Sequence, residues 1–344
     1  MKNHIINKDI TLIEALSRIN EIAPEPLVLF VLDEENRMVG SFTDGDSRRA
    51  LIAGASVNDK VEKIMHKNFN YIKVEDLNNV KEIKRQRDLM MRLVPILDKE
   101  HHIVEIINLE RYKTRLPIDA VLMAGGKGER LRPLTEKTPK PLLKVGDKCI
   151  IDHNIDRLID YGVKHISVTV NYLGEQLEDH FKEPHNGVLV NTVREPKFLG
   201  TIGSIKFVEN FYNDTVLVMN SDLFTNINYE DFFLHFQQHD AEMLVAAVPY
   251  DISIPYGILD LDGHDIHGLI EKPKFNYYTN AGIYLIKRRA LDEIPADTFF
   301  HATDLVEKLI AEKKKVVRYP LAGYWIDIGN PDEYNKACEM AKHI

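Results

Sequence analysis

Beyond residue 117 the chain alternates short apolar runs with stretches in which apolar residues recur at helical spacing. Runs such as DAVLMAGG (119–126) and TVLVMN (215–220) are short and end at turn residues, which predicts buried strands. The stretch 152–162 spaces its apolar residues three or four apart and ends at a glycine, which predicts a helix. This alternation indicates an α/β fold with a parallel sheet, followed by antiparallel strands after about residue 243. Further strands are predicted at 165–172 and 188–193, and further helices at 175–181 and 203–211.

The first 112 residues follow a different pattern, a weak internal repeat. The segments 31–46 and 96–110 each contain an apolar run, a turn reading LD(E/K)E, and a second apolar run. The stretch 11–22 carries apolar residues at helical spacing, which predicts an amphipathic helix. Similar units of this size bury one face against each other, so we expect a small α+β part. We therefore predict two domains, at 1–112 and 118–344, joined by the charged segment 110–117.

Composition and charge exclude several classes of function. The 344 residues are 44% apolar and 28% charged, which is ordinary for a globular protein. The net charge is −9 and no basic stripe is present, so nucleic acid is not expected as a partner. No apolar run approaches the ~20 residues of a membrane span, and the first ten residues lack the pattern of a signal peptide. We expect a cytoplasmic protein without a membrane partner, and any anionic ligand would need a local concentration of cations.

The stretch 121–141, VLMAGGKGERLRPLTEKTPKP, is such a concentration of cations. A dinucleotide-binding fingerprint is excluded, because Leu131 stands where its third glycine is required. A P-loop is also excluded, because no glycine here precedes a lysine and a hydroxyl residue in the required frame. Gly125, Gly126 and Gly128 leave backbone N–H groups free of side-chain obstruction, as an anion-binding loop requires.

Two cations follow these glycines. Arg130 can grip a phosphate through two N–H groups, and Lys140 supplies a point charge between two prolines. From Gly125 to Pro141 the sequence resembles the signature G-G-x-G-[TE]-R-[LM]-x-P-L-T-x(4)-P-K-[PA] of the sugar-1-phosphate nucleotidyltransferases, and the resemblance extends over 118–344. It implies a Rossmann-like mixed sheet and in-line attack of a sugar-1-phosphate on the α-phosphate of an NTP, with release of pyrophosphate. It also implies that Arg130 serves the β- and γ-phosphates, that Lys140 serves the reacting phosphate, and that Ala124 lines the nucleotide site.

Two aspartates match the family's metal ligands. Phosphoryl transfer between two anions needs a countercharge, usually Mg²⁺ held by carboxylates. Asp222 follows the apolar run 215–220, at the strand end where open α/β sheets bind ligands. Family members have a glycine before this aspartate, where this chain has Ser221. The second family carboxylate falls on Asp327 in GYWIDIGNPDEY. We predict Mg²⁺ as the cofactor, with Asp222 and Asp327 as its ligands and Asp222 also in a catalytic role.

Two later motifs match the family's sugar pocket. In LIEKP, the resemblance implies that Glu271 accepts hydrogen bonds from sugar hydroxyls and that Lys272 holds the sugar's phosphate as a catalytic cation. In NAGIY, it implies that Asn280 contacts the sugar and that Gly282 permits close approach. Gly257, in YGIL, is similarly suited to lie against a sugar ring.

The stretch 194–205 matches the family's base-binding segment, in which Gly200 and Thr201 belong to L-G-T-x-G. Uridylyl and thymidylyl members often begin it with glutamine, where this chain has Glu195. A carboxylate only accepts hydrogen bonds; guanine offers it two donors, N1–H and N2–H₂, whereas uracil offers one N–H. A mismatched acceptor pair costs about 1–3 kcal/mol, so we expect GTP, with CTP next and UTP or dTTP as further alternatives. Mannose-1-phosphate, glucosamine-1-phosphate and a non-sugar substrate such as choline phosphate stay open.

The first 112 residues resemble a pair of CBS domains, small modules that often bind adenosyl ligands and regulate an attached enzyme. Gly40, Thr43 and Asp46 match the family's GxxTxxD pattern, in which the hydroxyl and carboxylate face a ribose. The second copy reads VEIINLE there, so a structural or dimerising role is the alternative to binding an adenine nucleotide. The fusion resembles bacterial enzymes that make GDP-linked amino sugars. A catalytically silent nucleotide sensor is the rival interpretation, and we expect a homo-oligomer.

Overall fold

The computed structural model describes residues 2–343 and divides the chain into two compact units, residues 1–115 and 116–344. The boundary falls inside the charged segment 110–117. Each unit has its own sheets and its own buried core.

The first unit contains two three-stranded sheets of the same design. In each sheet the first strand runs parallel to the second, and the second pairs antiparallel with the third. This shared design agrees with the internal repeat predicted from the sequence. Phe30 and Met38 from one half pack with Leu93, Leu97 and Ile106 from the other. The strands are β1 (Ile5–Asn7), β2 (Val28–Leu32), β3 (Met38–Thr43), β4 (Ile72–Lys73), β5 (Leu93–Leu97) and β6 (Ile103–Asn108), and the helices are α1 (Leu12–Ile22), α2 (Asp44–Ile52) and α3 (Val80–Asp88).

The three residues that match the CBS pattern are engaged within this unit. The Thr43 N–H donates to Asp46 Oδ2 at 2.8 Å and the Asp46 N–H donates to Thr43 Oγ1 at 3.3 Å, which forms a capping box at the start of α2. Thr43 Oγ1 also donates to Asp46 Oδ2 at 2.6 Å. Asp46 also pairs with Arg49 at 2.6 Å. A Cβ added to Gly40 would lie 2.6 Å from the Met65 sulfur. These contacts give Gly40, Thr43 and Asp46 a structural role within the unit. The assignment as a CBS pair that binds an adenine nucleotide stays a prediction.

Residues 116–343 contain thirteen strands and five helices. In the described chain no helix is long and apolar enough to cross a membrane. The strands are β7 (Asp119–Ala124), β8 (Lys144–Val145), β9 (Lys148–Cys149), β10 (His165–Val170), β11 (Val190–Arg194), β12 (Thr215–Asn220), β13 (Leu223–Thr225), β14 (Met243–Ser253), β15 (Ile258–Asp262), β16 (Asp265–Ile270), β17 (Lys274–Lys287), β18 (Val316–Pro320) and β19 (Trp325–Asp327). The helices are α4 (Ile150–Asp160), α5 (Gly174–His180), α6 (Tyr229–His239), α7 (Ala302–Ala311) and α8 (Pro331–Ala341).

Seven of these strands form one mixed sheet in the order β11-β10-β7-β12-β17-β14-β18. The first four are parallel, β17 is antiparallel to both of its neighbours, and β18 is parallel to β14. This confirms the mixed α/β sheet, with its parallel half and the antiparallel strands after residue 243. Val121, Val218 and Ile286 from the sheet pack with Leu305 and Leu309 of α7 in the core.

One predicted helix takes a different form. The prediction of an α-helix over 203–211 is wrong, because only Gly203–Phe207 is helical and it is a 3-10 helix. A Cβ added to Gly203 would lie 2.7 Å from the Thr298 carbonyl oxygen. The segment is therefore packed against backbone from a distant part of the chain, and this packing overrides the local helical spacing.

Candidate active site

A cleft of about 630 Å³ lies beyond the carboxyl ends of β7 and β12. This is the edge of an open α/β sheet at which ligands bind. The glycine-rich loop, the base segment and the residues after β12 come together there from distant parts of the sequence. The predicted site residues that line the cleft are Ala124, Gly125, Gly126, Gly128, Arg130, Lys140, Glu195, Gly200, Thr201 and Asp222.

Gly128 shapes the loop that follows β7. It has a φ of +62° and precedes a 3-10 turn over Glu129–Leu131, and its carbonyl accepts a hydrogen bond from Thr135 Oγ1 at 2.8 Å. A Cβ added to Gly128 would lie 3.0 Å from Thr135 Cγ2 and 3.2 Å from Lys140 Cβ. Only glycine accepts this backbone conformation and this close approach without strain. Gly128 therefore lets the loop close on itself and bring Lys140 to the cleft.

Lys140 and Asp222 form an ion pair in the cleft. Lys140 is 8% exposed, and its Nζ donates to Asp222 Oδ2. The other oxygen of this carboxylate, Asp222 Oδ1, is buried and has no hydrogen-bond partner in the described part of the chain. A buried oxygen without a partner is costly and calls for an explanation. A bound cation would provide the missing partner.

Asp327 is brought beside Asp222 by the pairing of β13 with β19, in which Leu223 is the register partner of Asp327. Burial first, and then the charge of Asp222, raise the pKa of Asp327. The charges of Lys140 and Arg130 act in the opposite direction. Asp327 therefore lies near enough to Asp222 for the charge of Asp222 to act on it.

Within residues 2–343, one group of three metal-ligating side chains lies close together, and the carboxylate pair Asp222 and Asp327 suits a divalent cation better than that group does. Oxygen ligands suit Mg²⁺, and Asp222 and Asp327 supply them. The other group consists of Cys149, Asp152 and His180, whose ligand atoms lie within 4.8 Å of one another. There His180 Nε2 and Asp152 Oδ1 already pair at 2.7 Å, and burial with the charge of Asp152 raises the pKa of Cys149 to about 11. A protonated thiol binds metal poorly, so Asp222 and Asp327 are the candidate ligands.

Glu195 is a buried carboxylate that lines the cleft, with only 4% of the residue exposed. Its Oε2 accepts a hydrogen bond from the Leu199 N–H at 3.2 Å. Its Oε1 lies against Gly125, where an added Cβ would collide with it. Burial raises the pKa of Glu195, and the hydrogen bond from Leu199 opposes this change. Oε2 thus holds the carboxylate in place, and Oε1 lies beside Gly125, the first glycine of the loop.

Gly200 and Thr201 attach the base segment to the start of α7. Gly200 has a φ of +82°, and a Cβ added to it would lie 2.6 Å from the Phe300 carbonyl oxygen. Thr201 Oγ1 accepts a hydrogen bond from the N–H of Ala302, the first residue of α7, at 3.0 Å. These contacts give both residues a structural role. Their direct contact with a nucleotide stays a prediction.

The predicted sugar residues are not among those that line the cleft of the described chain. One group flanks the hairpin of β15 and β16, where a Cβ added to Gly257 would lie 3.0 Å from Glu271 Oε2. Next to it, Lys272 is exposed and has a φ of +44°. Gly257 and Glu271 therefore lie side by side at the base of the hairpin, and Lys272 follows Glu271 as an exposed residue.

The second group of predicted sugar residues lies in a bulge of β17. Asn280 Nδ2 donates to the Tyr284 hydroxyl at 2.7 Å, and Asn280 Oδ1 accepts from the Gly282 N–H at 2.9 Å. Gly282 has a φ of +71°, and an added Cβ would lie 2.5 Å from Nδ2 of Asn220. Asn220 lines the cleft, so Gly282 lies behind a residue of the cleft wall and not in the cleft itself.

Asn154 of α4 is a candidate positioning residue that the sequence reasoning missed. It is buried, and its Nδ2 donates to the Leu223 carbonyl at 2.8 Å and to the Ser221 carbonyl at 3.5 Å, on either side of Asp222. Ser221 Oγ donates to the Met123 carbonyl at 2.8 Å, a bond that glycine cannot make. In the sequence, the one sign of this role is that Asn154 is a polar residue on the apolar face of α4. Other cleft residues outside the predicted set include Asn171, Phe198 and Asn220.

A mixed α/β sheet that carries a glycine-rich cationic loop and two carboxylates beyond its strand ends is the architecture of a nucleotide-binding transferase. Residues 119–343, more than half of the chain, match the model of the Nucleotidyl transferase family. The chain belongs to this family.

Individual relatives and solved structures agree with this assignment. The mannose-1-phosphate guanylyltransferase catalytic subunit beta of Danio rerio is 30% identical over 227 residues, which cover 62% of this chain and 62% of the relative. The mannose-1-phosphate guanyltransferase of Pichia angusta is 32% identical over 227 residues, which cover 62% of this chain and 61% of the relative. The chain thus spans less than two thirds of the length of these curated relatives.

The solved structure of HddC from Yersinia pseudotuberculosis matches the fold with a TM-score of 0.52 and 26% identity, over 64% of this chain and 98% of HddC. HddC complexed with GMP-PN matches with a TM-score of 0.50 and 27% identity, with the same shares covered. The match extends over nearly the whole of HddC.

Proposed function

We propose that the chain transfers a guanylyl group from GTP to a sugar-1-phosphate and releases pyrophosphate. The observation that carries the proposal is the cleft, which combines a glycine-rich cationic loop, the Lys140–Asp222 pair and the buried Glu195 carboxylate. The relatives named as mannose-1-phosphate guanylyltransferases and the HddC complex with GMP-PN support a guanine nucleotide. Mannose-1-phosphate and glucosamine-1-phosphate are the proposed acceptors.

The proposed reaction is a direct displacement. An oxygen of the sugar phosphate bonds to the α-phosphorus of GTP while the bond from that phosphorus to the bridging oxygen breaks, and pyrophosphate leaves. The attacking oxygen is already ionised at neutral pH, so no side chain has to remove a proton. Catalysis then consists of positioning and charge stabilisation. Arg130 holds the β- and γ-phosphates. Lys140 leaves its ion pair with Asp222 and pairs with the reacting phosphate.

Asp222 and Asp327 would hold Mg²⁺, which neutralises phosphate charge when it is bound. The partnerless Asp222 Oδ1 supports this assignment. For the sugar, the closeness of Gly257 to Glu271 supports a binding surface at the base of the hairpin, and we propose that the exposed Lys272 belongs to it.

The proposal is tested by measuring pyrophosphate release with four NTPs and several sugar-1-phosphates in the presence of Mg²⁺. We expect GTP to give the highest rate and the variants Asp222→Asn and Asp327→Asn to lose activity. Asp214→Asn is the matched control, because this carboxylate is 95% exposed and pairs only with Arg288 among its described contacts.

Each outcome tests a separate part of the proposal. A higher rate with another NTP would show that the base assignment is wrong. Full activity of the two aspartate variants would show that the metal assignment is wrong. If no combination releases pyrophosphate and calorimetry detects ATP or AMP binding, the chain is a nucleotide sensor.

A further inference from the structure

A second pocket, of about 790 Å³, lies in the second unit at the edge of the seven-stranded sheet opposite the cleft. Thr215, the first residue of β12, lines this pocket, whereas Asn220, the last residue of the same strand, lines the cleft. At roughly 3.3 Å per residue, the two ends of β12 are about 17 Å apart. The pocket is therefore separate from the proposed active site, and we call it the basal pocket.

The floor of the basal pocket is apolar and belongs to the core of the unit. Ile205 and Leu291 are buried core residues that line the pocket. Val208 and Phe211 also line it, and they are partly buried against the same core. These four side chains form an apolar surface that can hold the body of a ligand.

Four cationic side chains and two carboxylates surround this floor. The cations are Lys206, Lys287, Arg288 and Arg289, and the carboxylates are Asp214 and Asp292. The lining is therefore positive, although the whole chain has a net charge of −9. A concave surface with this local charge attracts an anion.

Two of these cations are held by a carboxylate that does not line the pocket. Arg289 Nε donates to Glu242 Oε2 at 3.0 Å, and Lys287 Nζ donates to Glu242 Oε1 at 3.3 Å. The Glu242 side chain is only 13% exposed, so these contacts are largely shielded from water. Lys287 and Arg289 thus already have a firm partner.

The other two cations, Lys206 and Arg288, pair with carboxylates that are almost fully exposed. Arg288 Nη2 lies 3.1 Å from Oδ1 of Asp214, whose side chain is 95% exposed. Lys206 Nζ lies 4.0 Å from Oδ1 of Asp292, whose side chain is 84% exposed. Ion pairs with exposed groups contribute little, because water competes for both partners. An anionic ligand can therefore replace both carboxylates at little cost.

Backbone carbonyls hold these two cations beside the floor. Lys206 Nζ donates to the Leu291 carbonyl at 3.4 Å, and Arg288 Nη1 donates to the Phe211 carbonyl at 3.3 Å. Leu291 and Phe211 are floor residues, so both charges lie next to the apolar surface. A guanidinium and an ammonium together match the charge and the oxygens of a phosphate group.

We propose that the basal pocket binds an organic phosphate, whose phosphate group contacts Lys206 and Arg288 and whose ring lies on the apolar floor. The pocket volume of about 790 Å³ is typical of small-molecule sites, which measure roughly 300–1,000 Å³. Inorganic phosphate alone would leave the floor uncovered. A nucleotide and a simple aromatic phosphate share the required chemistry. The proposal does not rest on the proposed function, because neither cation lines the cleft.

The test is calorimetric titration of the full chain with phenyl phosphate and with inorganic phosphate. We expect phenyl phosphate to bind more tightly, because only its ring covers the floor. Arg288→Gln and Lys206→Gln should each weaken its binding on the order of tenfold, because each removes a charged donor. Asp292→Asn should strengthen it, because this change removes the carboxylate that competes for Lys206. A gain in affinity cannot result from misfolding.

Two further variants serve as controls, and circular dichroism establishes that all variants are folded. Arg48→Gln is matched to Arg288→Gln, because Arg48 also pairs with an aspartate at the surface, 2.9 Å from Asp44, but belongs to the first unit. Its affinity for phenyl phosphate should equal that of the wild type. Arg130→Gln changes the cleft alone and should keep phenyl phosphate binding in the basal pocket.

Loss of all phenyl phosphate binding in Arg130→Gln would assign the ligand to the cleft and overturn the proposal. Equal affinities of the wild type and Arg288→Gln would also overturn it. If phenyl phosphate and inorganic phosphate bind equally, the floor takes no part and the assignment of an organic ligand is wrong. In Arg130→Gln, tighter binding of GMP than of phenyl phosphate would identify a nucleotide as the ligand, and the reverse order would identify a simpler aromatic phosphate.

Discussion

Replacing Glu195 with glutamine tests the base assignment without changing the size of the side chain. The Leu199 N–H that donates to Oε2 can donate equally to the amide oxygen, so the attachment of the base segment is kept. At the position of Oε1, which lies against Gly125 at the cleft, an NH₂ group then replaces a hydrogen-bond acceptor. The N1–H and N2–H₂ donors of guanine would face a donor there.

The expected loss follows from the contact that is removed. A hydrogen bond to a charged group contributes about 1.5–3 kcal/mol. Since each 1.4 kcal/mol is tenfold, kcat/KM for GTP should fall by about 10- to 150-fold. Glutamine can both donate to and accept from uracil, so the rate with UTP should be unchanged or higher. The ratio of the GTP and UTP rates is therefore the sharpest readout.

Stability measurements separate this effect from misfolding. Burial raises the pKa of Glu195, so the folded state disfavours its charged form. The wild type thus loses stability, relative to Glu195→Gln, as the pH rises from the ordinary glutamate pKa of 4.5 through the higher pKa of the folded state. In urea unfolding at neutral pH the variant should be at least as stable as the wild type. A folded variant with an unchanged ratio of GTP and UTP rates would refute the base assignment.

Three further changes test the packing of the second unit. In urea unfolding, Gly200→Ala should lower the free energy of unfolding by about 1–2 kcal/mol for the left-handed backbone and by a further amount for the clash of its Cβ with Phe300. Gly187→Ala has the same φ of +82° and no neighbour within 4 Å, so it should lose only the backbone contribution. Equal losses in the two variants would show that the clash at Gly200 is absent. The hydrogen bond to Asp152 raises the pKa of His180, so its stabilisation is present below the ordinary pKa of 6.5 and is lost as pH rises through the folded value. His180→Gln should flatten this pH dependence in thermal unfolding, and an unaltered profile would contradict the pairing. Asn154→Leu removes the donor to the carbonyls of Ser221 and Leu223 and should lower the free energy of unfolding by about 1–3 kcal/mol. The fall in kcat should be larger than the change in KM for GTP. An unchanged kcat in the folded variant would exclude a positioning role for Asn154.

Features of the fold that depend on neighbouring residues could be predicted from the sequence. The apolar runs of β7 and β12 end at turn residues, and the parallel half of the sheet follows from their alternation with helices. The segment Gly203–Phe207 could not be predicted, because its form depends on backbone near residue 300. The pattern after about residue 243 indicated antiparallel strands, but the pairing of β14 with both β17 and β18 depends on residues that are distant in sequence.

The same distinction holds for the site. The loop residues and Asp222 belong to motifs in which order and spacing carry the information, and the structure brings them to one cleft. Asn154 carries no such motif, and its role depends on carbonyl groups almost seventy residues away. The proximity of Asp327 to Asp222 likewise depends on the pairing of β13 with β19, which local patterning does not specify.

The charges of the site predict that GTP and Mg²⁺ bind together. Without ligands, Lys140 is neutralised by Asp222, an arrangement that avoids an unpaired buried charge in a chain of net charge −9. A phosphate that bound alone would take Lys140 from Asp222 and leave two carboxylates, Asp222 and Asp327, without a cation. Binding both ligands provides every charged group with a new partner at once.

Calorimetric titration of GTP with and without Mg²⁺ measures this coupling directly. We expect GTP to bind more tightly to the wild type when Mg²⁺ is present, and we expect Asp222→Asn to reduce this dependence, because it removes a ligand charge that Mg²⁺ has to balance. Asp214→Asn should keep the full dependence, since its carboxylate pairs on the surface with Arg288. Equal GTP affinities with and without Mg²⁺ in the wild type would refute the argument, because the Lys140–Asp222 pair would then open at no electrostatic cost.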